Sequence, residues 1–241
     1  MVSSLPNKSY NLYRLLWRII DWIYPPNCGG CGRVGSRWCK ACGQLVNIIS
    51  GPVCIQCGHD ILGGNICDHC RVDPPNFKSL KSWAIYEDPL RKAIHRLKYS
   101  GDIALAETLS VPMIELLNES NWKLDAVAPV PIGEKREQER GYNQAALLAF
   151  PISLHKDIPY RKNALKKVRE NRSQVGLSFD QRYKNVIDVF ECVDEFIKDK
   201  SVLVVDDVVT SGATMNECAK VLLEKGAREV HGITLARAGI Q

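Results

Sequence analysis

The chain has 241 residues, of which 45% are hydrophobic, and its formal net charge is +5. This length allows one α/β domain together with a smaller module, and the apolar content is that of an ordinary folded core. A net charge this small does not establish nucleic-acid binding, and it indicates anionic ligands only weakly.

The first 26 residues predict an amphipathic helix. From Tyr10 to Tyr24 apolar residues recur with helical spacing, and Pro25 and Pro26 end the pattern. The apolar face consists of Leu12, Leu15, Leu16, Ile19, Ile20 and Ile23. Such a helix could lie on a membrane, but its polar face lacks dense basic charge, so we favour docking on the chain's own domain or on a partner.

The same segment predicts neither a signal peptide nor a transmembrane span. Its apolar run is interrupted by Arg14, Arg18 and Asp21, no small-residue cleavage site follows it, and it is too short to cross a bilayer. We therefore expect a cytoplasmic protein, in which thiols stay reduced.

Eight of the ten cysteines form four C-x-x-C pairs. The pairs are Cys28/Cys31, Cys39/Cys42, Cys54/Cys57 and Cys67/Cys70. Two pairs supply the four thiolates of a tetrahedral zinc site, so residues 27–72 predict a double zinc ribbon with two structural zinc ions. We predict sequential pairing, although interleaved pairs are equally good chemistry. His59 and His69 are expected to be bystanders, and a disulfide framework or an iron–sulfur cluster is the alternative.

Residues 73–82 predict a linker, and residues 83–241 predict an α/β domain with a parallel sheet. The predicted strands are 83–86, 125–132, 202–205 and 229–236, and the predicted helices are 89–99, 103–118, 136–149 and 214–225. Arg136, Arg140 and Arg172 are expected to face a ligand, because guanidinium groups suit phosphate oxygens. Lys162, Lys166 and Lys167 are expected to form a solvated surface.

The stretch from residue 201 to 215 predicts a strand, an acid pair, a loop of small residues and a helix. Asp206 and Asp207 follow an apolar run, and the loop consists of Thr210, Ser211, Gly212, Ala213 and Thr214. Backbone N–H groups of such a loop can surround a phosphate, and carboxylates at the end of a parallel strand can hold sugar hydroxyls. A ribose 5-phosphate satisfies both. A polar turn does not explain five small residues in a row, and a Walker-B strand needs a partner motif that the chain lacks.

The segment V-V-D-D-V-V-T-S-G-A-T resembles the phosphoribosyl pyrophosphate (PRPP) motif of the type I phosphoribosyltransferases. With the cysteine pairs and four further motifs, nearly the whole chain after Pro25 resembles the ComF family. These motifs are W-A-I-Y-E…L-K-Y-S-G-D at 83–102, A-P-V-P at 128–131, R-G-Y-N-Q at 140–144 and R-S-Q-V-G-L-S-F-D-Q-R-Y-K-N at 172–185. The resemblance implies a Rossmann-like type I phosphoribosyltransferase domain behind a zinc ribbon. It also implies a role in competence or in the use of DNA as a nutrient, with single-stranded DNA and the uptake machinery at the inner membrane as partners.

The resemblance further implies roles for individual residues. Asp206 and Asp207 would contact the ribose hydroxyls, and residues 210–214 would bind the 5-phosphate. Residues 132–135 would form a pyrophosphate loop, and residues 169–178 a mobile hood over PRPP.

With Mg²⁺ bound to PRPP, the phosphoribosyl group would pass through an oxocarbenium-like state to an acceptor that the sequence does not name. The residues expected to act in catalysis are Asp206, Asp207, Arg136, Arg140 and Arg172. Two alternatives remain: a PRPP- or nucleotide-sensing module without turnover, and a zinc-containing adaptor that binds single-stranded DNA.

Overall fold

A computed structural model describes residues 7–169 and 188–239, and a parallel sheet forms its centre. The strands are β1 (Ser79–Ile85), β2 (Ala126–Pro129), β3 (Leu165–Lys167), β4 (Phe190–Cys192), β5 (Ser201–Val209) and β6 (Glu229–Arg237). Four of them pair in the order β1-β6-β5-β2, all parallel, while β3 and β4 form a separate antiparallel pair. The register places Val205 opposite Ile233 and Val204 opposite Ala128.

Four helices cover the two faces of the sheet: α4 (Leu90–Tyr99), α5 (Leu105–Asn118) and α7 (Gln144–Lys156) on one face, and α8 (Ala213–Glu224) on the other. The other α-helices of the described residues are α1 (Lys8–Ile23), α2 (Lys40–Gln44), α3 (Asp68–Val72) and α6 (Glu134–Arg140). Leu203 and Val205 of β5 share one buried cluster with side chains of α4, α5 and α7. Val202 and Val204 share the other with side chains of α8. The apolar run in β5 is therefore buried on both faces, which confirms the predicted parallel α/β domain.

Several element boundaries differ from those expected. The strand expected at residue 83 begins at Ser79, inside the predicted linker. The single helix expected over 136–149 is two helices, because Gly141 adopts φ 79° and ends α6 in the left-handed conformation. Asn143 then caps α7 by accepting the N–H of Ala145 at 2.9 Å.

The cysteine-rich segment docks on the outer edge of the sheet. Residues 47–49 form an antiparallel bridge with β1, through Ile49 N–H to Trp83 O at 3.0 Å and Ile85 N–H to Asn47 O at 2.9 Å. Farther along the same strand, Leu80 donates its N–H to Gln56 O at 2.6 Å. These bonds satisfy backbone groups of an edge strand, so the module closes the sheet on that side.

Helix α1 docks on the chain's own domain, as favoured, but through the face opposite to the one expected. Tyr10 is buried, with its ring 4.9 Å from that of His155, and the ring of Tyr13 lies 5.7 Å from that of Phe150. Arg14 pairs with Glu107 at 3.1 Å. The apolar face expected to dock is exposed instead, namely Leu12, Leu15, Leu16, Ile19, Ile20 and Ile23. Specific aromatic and ionic partners thus set the orientation of α1.

No described helix has the length and apolar content needed to cross a membrane.

Candidate functional site

A cavity of about 590 Å³ lies at the carboxyl ends of β2 and β5. Its wall includes most of the residues predicted for the site, namely Asp206, Asp207, Arg136, Arg140, Thr210, Gly212, Ala213 and Thr214. Ser211 lies on the far side of the loop and lines a smaller cleft. Arg172 and the predicted hood beyond Arg169 lie outside the described residues.

The small-residue loop leads directly into α8. Gly212 adopts φ 81°, and a Cβ there would meet nothing closer than the ring of Phe77 at 4.0 Å, so the requirement for glycine is conformational. Helix α8 begins at Ala213, whose N–H makes a long contact of 3.4 Å with Ser211 Oγ. The first N–H groups of a helix have no partner within the helix, and the positive end of the helix dipole favours an anion beside them. The loop therefore combines a left-handed glycine with the start of a helix, a geometry that suits an anion.

The two aspartates lie inside β5 rather than after its end. The strand continues to Val209, and because successive side chains of a strand alternate, Asp206 and Asp207 face opposite sides of the sheet. The strand therefore ends four residues later than the predicted end at Val205, and both aspartates line the cavity. A longer ladder with β6, which extends to Val209 and Arg237, is the reason.

Asp207 is held by two side chains from the helices on its side of the sheet. It is 2% exposed, pairs with the ammonium of Lys98, and accepts a hydrogen bond from Gln144 Nε2 at 3.1 Å. Burial disfavours the Lys98 ammonium, but Asp207, with a further contribution from Asp206, outweighs burial, and the pKa of Lys98 lies above its ordinary value. The two groups thus form a charged pair in the wall of the cavity.

Asp206 has a different environment. It is partly buried, and its Oδ1 accepts the backbone N–H of Asp207 at 2.8 Å. Burial and then the negative charge of Asp207 raise the pKa of Asp206 well above its ordinary value, while Lys98 opposes the shift. The buried carboxyl of Asp206 thus lies between the negative charge of Asp207 and the positive charge of Lys98.

The R-G-Y-N-Q segment, residues 140–144, connects Asp207 to the rest of the cavity wall. Arg140 donates to Gln144 Oε1, and its guanidinium lies 5.0 Å from the ring centre of Tyr99. Tyr142 donates its hydroxyl to Leu97 O at 2.7 Å. Arg140 therefore lines the cavity as expected, but it also supports Gln144, which in turn supports Asp207.

Sequence reasoning missed Lys98 and Gln144 as members of the site. A signal for Lys98 was available: it lies four residues after Ile94 and one after Leu97 on the buried face of α4, where a lysine needs a partner. The three lysines expected at the surface also divide. Lys162 and Lys166 are exposed, whereas Lys167 is partly buried and lines the cavity.

The cysteines form two separate clusters, which confirms sequential pairing. One cluster consists of Cys28, Cys31, Cys39 and Cys42, and the other of Cys54, Cys57, Cys67 and Cys70. Within each cluster the four Sγ atoms lie within 4.8 Å of one another. The Sγ atoms of Cys31 and Cys39 are 3.7 Å apart, as are those of Cys57 and Cys67. Tetrahedral Zn–S bonds of about 2.3 Å place thiolates about 3.8 Å apart, so both clusters fit structural zinc.

Backbone donors favour thiolates in both clusters. Cys28 Sγ accepts the N–H of Cys39 at 3.3 Å, and Cys54 Sγ accepts the N–H of Cys67 at 3.4 Å. Burial works against the thiolate, but backbone N–H groups, including those of Cys31 and Cys39 at Cys28 and that of Cys67 at Cys54, lower the pKa of Cys28 to about 6 and that of Cys54 to about 7. Burial instead raises the pKa of Cys57 to about 11. Deprotonated sulfur is the form that binds zinc.

Sequence comparison agrees with both parts of the structure. The protein-family model of the double zinc ribbon domain matches residues 19–71, and the family model of the phosphoribosyl transferase domain matches residues 166–241. Competence protein F of Haemophilus influenzae is 33% identical over 209 residues, which cover 83% of this chain and 90% of that protein. The chain belongs to the ComF family. The DNA utilization protein YhgH of Escherichia coli is 31% identical over 205 residues, which cover 83% of this chain and 89% of that protein.

The phosphoribosyltransferase domain of this ComF-family protein is similar to a solved structure of glutamine PRPP amidotransferase from B. subtilis, complexed with ADP and GMP. The identity is 25% and the TM-score 0.39, over 54% of this chain and 27% of that chain.

In this ComF-family chain the second zinc ribbon lies against the small-residue loop at residues 210–214. Cys57 and Cys70 line the same small cleft as Ser211 and Gly212. Just after the ribbon, Asn76 donates its N–H to Asn216 Oδ1 of α8 at 2.6 Å. The ribbon therefore forms part of the support behind the cavity and is not a separate appendage.

Proposed function

We propose that the cavity binds PRPP, or a related ribose phosphate, together with Mg²⁺, and that the protein uses this ligand in DNA uptake or DNA utilisation. The observation that carries the proposal is that the start of α8 and the two aspartates of β5 line one cavity. A phosphate at a helix N-terminus and sugar hydroxyls at carboxylates are the two halves of a ribose 5-phosphate.

The charges of the cavity divide its roles. The loop at 210–214 would bind the 5-phosphate through backbone N–H groups. Asp206, which Lys98 does not neutralise directly, would accept hydrogen bonds from the ribose hydroxyls. Arg136 and Arg140 line the same cavity, and their guanidinium groups suit the pyrophosphate oxygens.

The donor set suits Mg²⁺. This ion prefers oxygen ligands and is commonly held by one or two carboxylates with phosphate oxygens of the substrate and water, and both aspartates line the cavity. Bound magnesium would neutralise the pyrophosphate as a leaving group. In the transfer, the bond between C1 of the ribose and the pyrophosphate oxygen breaks, and a bond forms between C1 and a nucleophile of the acceptor.

Calorimetric titration of PRPP with Mg²⁺ tests the site. Asp206→Asn removes a charged acceptor, so we expect affinity to fall by about tenfold or more. Glu119→Gln changes an exposed carboxylate at the end of α5 and should bind PRPP as the wild type does. Equal affinity in the wild type and Asp206→Asn would reject the ribose assignment.

Two further measurements address the reaction and its purpose. A transferase releases pyrophosphate when an acceptor is added, whereas binding without release across a panel of nucleobases would favour the sensing alternative. For the cellular role, wild type and Asp206→Asn would be expressed in a bacterium whose own ComF-family gene is deleted. We expect only the wild type to restore transformation or growth on DNA as carbon source.

A further inference from the structure

We propose that the first zinc site positions Asp207 in the cavity through helix α4, with Arg96 as the positioning residue that joins them. The inference rests on the proposed ribose-phosphate site. It assigns the first zinc ribbon a part in ligand binding, beyond holding its own fold.

The ribbon end of this connection is a close contact. Arg96 donates from Nη1 to the carbonyl oxygen of Cys28 at 2.9 Å and from Nη2 to Asp102 Oδ2 at 2.6 Å. The cysteine turn also packs tightly on α4. A Cβ at Gly29 would lie 3.1 Å from Ala93 Cβ, and one at Gly30 would lie 2.8 Å from Pro89 Cβ. The position of α4 therefore depends on the shape of the turn around Cys28.

The cavity end lies within the same turn of α4. Lys98 pairs with the buried Asp207, and the carbonyl of Leu97 accepts the Tyr142 hydroxyl at 2.7 Å. A helix moves as a unit, because its backbone is fixed by hydrogen bonds along its length. A shift of α4 at Arg96 is consequently a shift of the Lys98 ammonium against Asp207.

Such a shift has an electrostatic result at the ligand site. The Lys98 ammonium pairs with Asp207, and it also opposes the rise in the pKa of Asp206. If Lys98 retreats, the two carboxylates repel each other with less compensation, and the pair is less able to bind ribose hydroxyls. Zinc bound at Cys28, Cys31, Cys39 and Cys42 would keep the turn, Arg96 and Lys98 in place.

The test uses the full zinc-loaded chain and ribose 5-phosphate with Mg²⁺ as the probe. Arg96→Met removes the bonds to Cys28 and Asp102, and we expect affinity to fall about three- to tenfold. Arg96→Lys should recover part of the loss. Arg91→Met is the matched control, because Arg91 is an exposed arginine of the same helix that pairs only with Asp88 among the described residues. Zinc content, measured for every variant, should remain two ions per chain.

A double-mutant cycle separates positioning from general destabilisation. If Arg96 acts through the Lys98–Asp207 pair, Arg96→Met has little further effect on affinity once Asp207→Asn is present. Wild-type affinity in Arg96→Met, or effects of the two changes that simply multiply, would overturn the proposal.

A ligand-free readout distinguishes this inference from the proposed function. If the wild type binds neither ribose 5-phosphate nor PRPP, the proposed function is wrong, and the coupling is then judged by carbon NMR titration of the Asp206 carboxyl. Arg96→Met should raise the pKa of Asp206 while Arg91→Met leaves it unchanged. An Asp206 titration that is the same in Arg96→Met and the wild type would refute the coupling.

Discussion

Asp206 and Asp207 are neighbours in β5, but their carboxylates face opposite sides of the sheet and have different partners. Asp207 is paired with Lys98 and Gln144 on the side of α4 and α7. Asp206 has the backbone N–H of Asp207 as its partner and faces α8, where its charge raises the pKa of the Cys218 thiol further after burial has raised it. One motif therefore contains two acids in different environments.

The stability of the protein should depend on the ionisation of Asp206. Because its pKa is raised in the folded state, the folded chain holds this proton more tightly than the unfolded chain does. Its contribution to stability is complete below the ordinary aspartate pKa and is lost as pH rises through the raised value. Asp206→Asn should thus unfold at higher urea than the wild type at pH 8, by on the order of 1 kcal/mol, and differ little at pH 4.

The comparison is made between the two proteins at each pH, so that titration of other groups cancels. A wild type that equals or exceeds the variant at pH 8 would contradict a raised Asp206 pKa. Increased stability with weaker PRPP binding would fit a site in which function and stability conflict.

Removing only one partner of the Lys98–Asp207 pair should destabilise the protein strongly. Lys98→Met leaves a buried carboxylate without its counter-charge, so we expect a loss of about 3 kcal/mol in the free energy of unfolding. The double variant Lys98→Met/Asp207→Asn should recover most of that loss, because no unpaired charge remains. Urea denaturation measures both. The control is Lys92→Met, an exposed lysine of the same helix paired with Asp88, which should change stability little.

Contact between the second ribbon and the sheet can be tested at Gly58. This residue has φ 71°, and a Cβ there would lie 2.6 Å from the carbonyl oxygen of Leu80. We expect Gly58→Ala to destabilise the protein by about 2 kcal/mol or more, since strain and a backbone clash act together. Gly63→Ala, where a Cβ meets nothing within 4 Å, should be close to neutral. Equal thermal unfolding of the two variants would argue against this docking.

The pairing of the cysteines predicts zinc stoichiometry. Cys28→Ser/Cys42→Ser damages one cluster and should lower zinc from two ions to one, whereas Cys28→Ser/Cys54→Ser damages both and should leave none. Zinc is measured by atomic emission after gel filtration with a competing chelator. With interleaved pairing, in which Cys28 and Cys42 serve different ions, the first variant would instead lose both.

Much of the site was predictable because its signals are local. Spacing within C-x-x-C pairs identifies the ligands, since a short turn brings both sulfurs to one side of a metal. The apolar run before Asp206 and the small residues after it similarly predict a strand and a phosphate-binding turn within fifteen consecutive residues. The orientation of α1 was not predictable in this way, because it depends on which partners its two faces meet.

The sequence alone determined that the chain has a double zinc ribbon, a parallel α/β domain and a loop suited to phosphate, because each depends on residue types at short spacing. Only the tertiary structure decided that β5 extends past both aspartates, that Lys98 neutralises one of them, and that Arg96 links their helix to Cys28. Those contacts join residues far apart in the chain, and short-range spacing carries no information on which distant charges the fold brings together.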